Sequence, residues 1–447
     1  MAVDFTTPVV MGGSTTAIQM RAVAVNAAGL FVAVGHGKGP PNFYPYYATS
    51  SDGITWSAPA TMNGSTVTAY MYSITVNALG VFVAVGYNAS GHPLFALSAD
   101  GSTWTTPAKM NNSSAAAYMT GVTVNSFGIF AAVGRDASAR PMFAMSNNGL
   151  TWTTPARMNN TFASAYMQGI AVRPATTWPL VAVGYTPAYA PVFAVSYNAT
   201  TWTTPATMNG SSASACMMAV AVNASGLHVA VGFSYPASDP LYATSVDGVT
   251  WTTPAVMNGV GADARMYSIA VNSSGLFVAV GSSALINYKG FYATSVDGST
   301  WTTPAKMNGS DTLAWITGVA ANNAGRYTAV GYSASNNYPM TASYAAEVAI
   351  APVANFTGTP LKGNEPLIVT FTDTSTNTPT SWAWTFGDGG TSTLQNPTHT
   401  YTAMGIYTVT LTATNTAGSN TLTATGYVEA LAPLFWKDFT GTKETDY

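Results

Sequence analysis

Residues 71–107 read MYSITVNALGVFVAVGYNASGHPLFALSADGSTWTTP, and this stretch decides the fold. MYSITVN (71–77) alternates, the period of a half-buried strand. Ala-Leu-Gly (78–80) turns the chain into VFVAVG (81–86), apolar on both faces as a strand sandwiched between sheets would be. A variable loop, YNASGHP (87–93), leads to a third strand, LFALS (94–98). Ala-Asp-Gly (99–101) then turns the chain into STWTTP (102–107), read as the fourth and outermost strand. Thr, Val and Tyr dominate, which favours strands over a helical repeat.

The unit recurs. Met11, Met62, Met110, Met158, Met208, Met257 and Met307 form a ladder with steps of 48 to 51 residues. Nine residues after each stand Met20, Met71, Met119, Met167, Met217, Met266 and Ile316. Each copy then ends an apolar strand in Gly35, Gly86, Gly134, Gly184, Gly232, Gly281 or Gly331. Four short strands per period of this length are the mark of a propeller blade, so an all-β, seven-bladed β-propeller is expected over residues 1–347. The first copy opens on Asp4-Phe5-Thr6-Thr7-Pro8, which aligns with Thr-Trp-Thr-Thr-Pro and puts Phe5 where Trp56 stands. The last copy reaches PMTASY (339–344) and has no such strand. The N-terminal strand should therefore complete the seventh blade and remove the open sheet edges.

Composition narrows the function. Of 447 residues 47% are apolar and only 7% charged, with a net charge of −3. No run of eighteen apolar residues could span a bilayer, so a hydroxyl- and amide-covered β protein is expected, without membrane insertion. Fourteen Lys and Arg with no basic stripe argue against nucleic acid as a partner. The single cysteine, Cys216, makes no internal disulfide and reads as a small buried hydrophobe. MAVDFTTPVV (1–10) lacks the basic and apolar regions of a Sec signal peptide, so another route to the chain's destination is expected.

The turn before the fourth strand resembles the Asp-box of sialidase-like (BNR) propellers, one residue shortened: Ser50-Ser51-Asp52-Gly53-Ile54-Thr55-Trp56. It recurs at Asp100, Asp247 and Asp297, and in degenerate form at Asn148 and Asn198, where Ala199 replaces the glycine. A structural role is expected: the short side chain bonds turn amides, glycine takes φ > 0, and the Trp wedges between blades.

After a linker at 348–353 the repeat ends. Ala354-Asn355-Phe356, Val369-Thr370-Phe371-Thr372-Asp373, Trp382-Ala383-Trp384-Thr385-Phe386-Gly387-Asp388-Gly389, Pro397-Thr398-His399-Thr400-Tyr401 and Gly405-Ile406-Tyr407-Thr408-Val409-Thr410-Leu411 resemble the PKD domain, an immunoglobulin-like sandwich, over 354–430. The resemblance implies a spacer or adhesion module. Trp384 should be core, Tyr407, Val409 and Leu411 should point inward at period two, and Asp388 should serve the Gly-Asp-Gly turn. The C-terminal tail, 431–447, carries Leu434, Phe435, Trp436 and Phe439, which either fold back on the sandwich or dock into a partner.

No catalytic constellation is expected. A sialidase-type glycosidase would need an arginine cluster, a tyrosine nucleophile, a glutamate partner and an acid. The repeat region has no glutamate before Glu347, and its arginines fall at unmatched repeat positions. Of Asp4, Asp136, Asp239, Asp263 and Asp311, only Asp263 and Asp311 suggest the paired carboxylates of hydrolysis. His36, His92, His228 and His399 lack ligand spacing, so no metal and no cofactor is expected. The loops between second and third strands share a face with the blade-to-blade connections, and carry the candidate ligand-binding residues Tyr44, Tyr46, Tyr47, Tyr87, His92, Tyr185, Tyr189, Tyr235, Tyr288 and Tyr338. Stacking rings flanked by amides and hydroxyls suit a neutral glycan, although Tyr, Asn and Pro are also ordinary turn residues. Asn63, Asn88, Asn209, Asn272 and Asn308 stand in Asn-Xaa-Ser/Thr triplets that turn chemistry alone explains. The expectation is a non-enzymatic, surface-displayed binding protein. It would be first a phage or viral virion component (decoration or receptor- or glycan-binding) and alternatively a secreted or cell-surface microbial adhesin, held to virion or cell-surface proteins by the PKD domain or the tail. A sialidase-like hydrolase is the remaining alternative.

Overall fold

The computed structural model describes residues 5–39, 43–160, 164–173, 179–210, 214–259, 263–283, 288–309, 312–345, 351–377, 379–415 and 418–433. Asp4, Asp311, Glu347 and the tail residues Leu434, Phe435, Trp436 and Phe439 lie outside them. Two compact units divide the chain, Met1–Glu347 and Val348–Tyr447.

Seven four-stranded antiparallel sheets build the first unit. The second blade runs Tyr70–Val76, Phe82–Tyr87, Pro93–Ser98 and Ala108–Lys109, from the axis outward. In the seventh, Ala314–Ala321, Arg326–Ser333 and Pro339–Ala345 are completed by Val9–Val10 from the other end of the unit. Val9 pairs with Thr341 and Val10 with Met340, and the Thr6 amide donates to the Ser343 carbonyl at 2.9 Å. Phe5 is buried there, 5.1 Å from the Tyr292 ring. The ring is closed by its own beginning, and the fold is a seven-bladed β-propeller.

The fourth strand departs from expectation. Thr-Trp-Thr-Thr-Pro is not a continuous strand; in this blade it makes one bridge, Trp104 to Ser98, and ladder pairing resumes after the proline, where Ala108 faces Phe95 and Lys109 faces Leu94. Proline has no N–H to give a ladder. Upstream of it, side chains take over. The Thr105 amide donates to the Leu97 carbonyl at 2.9 Å, and the Thr105 hydroxyl accepts the Leu97 amide at 3.0 Å. The Thr106 hydroxyl instead accepts Nδ2 of Asn63, from the connection entering the blade, at 2.8 Å. The same bond joins Asn111 to Thr154, Asn159 to Thr204, Asn209 to Thr253, Asn258 to Thr303 and Asn308 to Thr7, at 2.6–2.9 Å. So the first threonine pins the segment to its own blade, and the second laces it to the preceding connection. At the junction of the seventh and first blades both partners are replaced. Gly12 stands for Asn and Ala58 for Thr, and a Cβ on Gly12 would lie 2.5 Å from the Ala58 nitrogen.

The Val-Gly glycines answer to close approach. A Cβ on Gly86 would sit 1.8 Å from the Tyr70 carbonyl oxygen, and the other six meet the equivalent oxygen at 1.8–2.1 Å. That crowding accompanies a β-bulge: Met71 pairs with Gly86 and Ser73 with Val85, leaving Tyr72 unpaired. Both methionine ladders, Ile316 included, are fully buried. Between blades, Trp104, Trp152, Trp202, Trp251 and Trp301 each lie 6.0–6.1 Å from an aromatic ring on the preceding blade's third strand.

The second unit is a sandwich of a three-stranded and a five-stranded sheet. Trp384, Phe371, Phe386, Tyr401, Val409 and Leu411 are buried in its core, with half-buried Tyr407 stacked on Tyr401 at 4.4 Å. Asp388 accepts the Gly390 amide across the turn at 2.9 Å and also meets His399 Nε2 at 2.7 Å. His399 in turn lies 4.2 Å from Phe386, ring on ring.

Two outcomes follow from these devices. A double-mutant cycle on Thr7→Ala and Asn308→Gly should return a coupling of about 1 kcal/mol, with faster amide exchange at Val9–Val10 in each single variant; zero coupling would mean that the lacing bond contributes nothing. Ala199 sits at φ 59, where most copies carry glycine. Ala199→Gly should stabilise the propeller by about 1 kcal/mol in chemical denaturation, because it removes a left-handed alanine.

Candidate binding site on the loop face

The bulge decides what the axis presents. In each inner strand it turns one extra side chain toward the shaft: Arg21, Tyr72, Thr120, Gln168, Met218, Tyr267 and Thr317. The shaft encloses about 210 Å³. Below the mouth it narrows where small residues bring inner strands together; a Cβ on Gly169 would lie 2.8 Å from the Ala219 Cα. Among the described residues, its lining carries no carboxylate.

Around this mouth, cross-strand neighbours flank each bulge. Gln19 pairs with His36, Tyr70 with Tyr87, Tyr118 with Arg135, Tyr166 with Tyr185, and Trp315 with Tyr332. The result is a run of stacked rings. Tyr87 lies 5.1 Å from Tyr72 with the planes at 14°, donates its hydroxyl to Tyr72 at 3.0 Å, and meets Tyr118 edge-on at 4.8 Å. Arg135 is held between Tyr118 and Tyr166, at 4.6 and 5.2 Å. Tyr185 continues to Tyr189, and Tyr189 stacks on Tyr235 at 4.0 Å. Arg265 lies 4.9 Å over Phe233, and Tyr288 stacks on Trp315 at 4.6 Å. Arg21 closes the circuit between Tyr72 and Tyr332, at 5.4 and 5.2 Å. Each such guanidinium gains from the ring quadrupole while its N–H edge also bonds a neighbour: Arg21 donates to His36 and Gln19, Arg135 to the Asp136 carbonyl and Arg265 to the Ser238 hydroxyl.

The second-to-third-strand loops and the connections do share this face. The Ala117 amide donates to Gly91, Ala165 to Ala139, Ala215 to Tyr189, Ala264 to Ser238 and Ala314 to Tyr288. Of the expected ligand residues, Tyr87, Tyr185, Tyr189, Tyr235 and Tyr288 join the stacked run. His92 is held in its own loop by the Asn88 side chain. Tyr44 and Tyr338 are half-buried loop residues. Tyr46 and Tyr47 depart from the loop reading: they lie in the strand Pro45–Ser50 and pack between blades, Tyr47 6.0 Å from Trp104. Arg21, Tyr72, Gln168 and Tyr267 are not legible in the sequence as site residues, because strict alternation hides a bulge. The glycine facing each ladder position is the signal that could reveal it.

The turns at Asp52, Asp100, Asn148, Asn198, Asp247 and Asp297 are occupied by their own chain. Asp52 Oδ1 accepts the amides of Ile54 and Thr55 at 2.8 and 2.7 Å and the Ser50 hydroxyl at 2.9 Å. These amides hold the Asp52 carboxyl down at about 2. Among the described residues no cluster of three His, Cys, Asp or Glu occurs. Asp263 makes its contacts without its expected partner Asp311 being described.

Buried His36 accepts from Arg21 Nε at 3.3 Å. Burial first, and then the Arg21 charge, lower its pKa from 6.5 to about 4. Between those values the unfolded chain binds a proton that the folded chain refuses. Stability should thus fall as pH drops from 6.5 toward 4. Buried His228, lowered mainly by its burial, acts with the same sign. The turn aspartates, held below 3.8, keep their full contribution above that pH and lose it only on further acidification. Denaturation midpoints at pH 7 and 4.5 should differ less in His36→Gln than in the parent; an equal difference would rule His36 out as a source.

Residues 349–430 match the PKD domain family. The PKD1 domain of the Vibrio cholerae metalloprotease PrtV is 42% identical, covering 18% of this chain and 99% of that one, with a TM-score of 0.16. The BP39L lectin from Burkholderia pseudomallei superposes with a TM-score of 0.57 at 13% identity, covering 75% of this chain and 100% of that one. A fungal alcohol oxidase of the AA5 family does so with 0.53 at 13% identity, covering 95% and 100%. No curated protein matches the chain. At such identity the lectin and the oxidase share its fold alone. The chain is thus a seven-bladed β-propeller followed by a PKD domain.

Proposed function

We propose that the loop face of the propeller binds glycans, and that the protein works by recognition without turnover while displayed on a virion or a cell surface. Lectins and enzymes both use this fold, so the choice rests on side chains. The carrying observation is the run of aromatic and guanidinium stacks around the axial mouth, whose outer rings stand open: Tyr235 is 43% and Tyr288 40% exposed. Pre-stacked rings offer flat apolar faces to a pyranose at little ordering cost, and the arginine and glutamine edges can meet its hydroxyls. Turnover has little support at the same place. The described lining has no carboxylate, and burial pushes the Tyr185 and Tyr267 phenols up to about 12, so neither is ionised at neutral pH. A PKD domain as spacer fits display, and several copies on one particle would multiply a weak single-site affinity.

The test is a panel of neutral oligosaccharides incubated with the full chain, read for retention and for released products. Retention without products is expected. Tyr189→Ala with Tyr235→Ala, or Tyr288→Ala, should weaken it about 3- to 10-fold, the worth of an aromatic stack, at unchanged melting temperature. Absence of any retained glycan, or release of shorter sugars, would sink the reading.

A further inference from the structure

We propose a second site, separate from the axial mouth: a recess on the third blade that takes the carboxylate of an acidic sugar. Scattered in sequence, Arg140 and Arg157 converge there. Strand register sets Arg135 opposite Pro141 and Met142 opposite Arg157, which carries both guanidiniums to Asp136. Arg140 Nε lies 2.6 Å and Arg157 Nε 3.9 Å from Asp136 Oδ2. The recess they line holds about 370 Å³, with Ala116, Met142 and Pro155 as an apolar wall and Ser138 at its edge. That volume falls within the usual small-ligand range of about 300–1,000 Å³.

The charges are not needed to build the loop. Asp136 Oδ1 accepts the Ser138 and Arg140 amides at 2.8 and 2.9 Å. In the second blade neutral Asn88 does the same for Ser90 and His92, at 3.0 and 2.9 Å. An amide therefore suffices for the turn, and the second carboxylate oxygen of Asp136 serves to hold the two arginines. Two guanidiniums thus stand beside one carboxylate in a chain that is otherwise poor in charge. Both arginine side chains stay partly open, 25% and 31% exposed, while the Asp136 side chain is 10% exposed. Arginine pairs bidentately with a carboxylate, and an apolar wall beside the fork matches the C–H face of a pyranose. Two arginine forks lining one recess suit a monoanion such as a uronate or a sialate.

Titration of the full chain with a galacturonate trisaccharide, with 3′-sialyllactose and with lactose tests this. At least one acidic sugar should bind ten-fold or more tighter than lactose, and which one does so names the source of the carboxylate. The preference should weaken with added salt and vanish in Arg157→Gln and in Arg140→Gln. Arg157→Lys, which keeps the charge without the fork, should retain only part of it and guards against loss by misfolding. Lactose binding by these variants should match the parent, and the acid preference should survive Tyr288→Ala, so this site and the axial one fail separately. Equal affinity for acidic and neutral sugars, or full acid preference in both glutamine variants, would overturn the proposal.

Discussion

Everything in the propeller depends on one approach between backbones. At seven places the second strand comes so near the inner strand that a single methyl group would collide with a carbonyl oxygen 1.8–2.1 Å away. Glycine makes the approach possible, and the inner strand accommodates it by giving up one residue from the ladder. That surplus residue is what reaches the axis. The same local geometry that fixes the blade thus chooses the side chains that line the axial shaft, and the ring of Arg21, Tyr72, Gln168 and their counterparts is a product of packing.

A second constraint holds the blades side by side. Apolar packing between blades, with wedges such as Trp104 against Tyr47 among it, is non-directional and tolerant of sliding. The threonine pair supplies registration. One hydroxyl stands in for a ladder carbonyl by accepting a third-strand amide, and the next accepts an asparagine amide from the neighbouring connection. Asparagine suits that place twice over, since its backbone there takes φ values of 46–53° and its side chain must donate. Where the chain carries Gly12 it also carries Ala58, which is how a two-body interaction reads when both bodies have gone.

Much of this is legible from residue order. The period, the blade count, the closing role of residues 5–10 and the PKD core around Trp384 all follow from spacing and alternation, which burial imposes directly. Other features follow from register, which spacing does not reveal. Thr-Trp-Thr-Thr-Pro reads as a strand because its residues favour one, yet its bonds to the third strand are shared between a backbone amide and a threonine hydroxyl. Tyr46 and Tyr47 read as loop residues because two further tyrosine and phenylalanine positions precede them. Arg140 and Arg157 read as unrelated because only strand pairing places positions 142 and 157 opposite each other. The repeat therefore locates the loop face, and names the side chains on it only in part.

Closure by Val9–Val10 has a consequence for how the molecule comes into being. Val9–Val10 is translated well before its pairing partner Pro339–Ala345, among the last of the unit to leave the ribosome. Until then the seventh sheet lacks its rim and the buried side of Phe5 has nothing to cover it. The array behaves as an open stack whose ends can fray independently. Once the ends meet, fraying at either one must break the other, and a string of similar parts becomes a single cooperative body. The loop face, which needs all seven inner strands around one axis, therefore exists only after that last step.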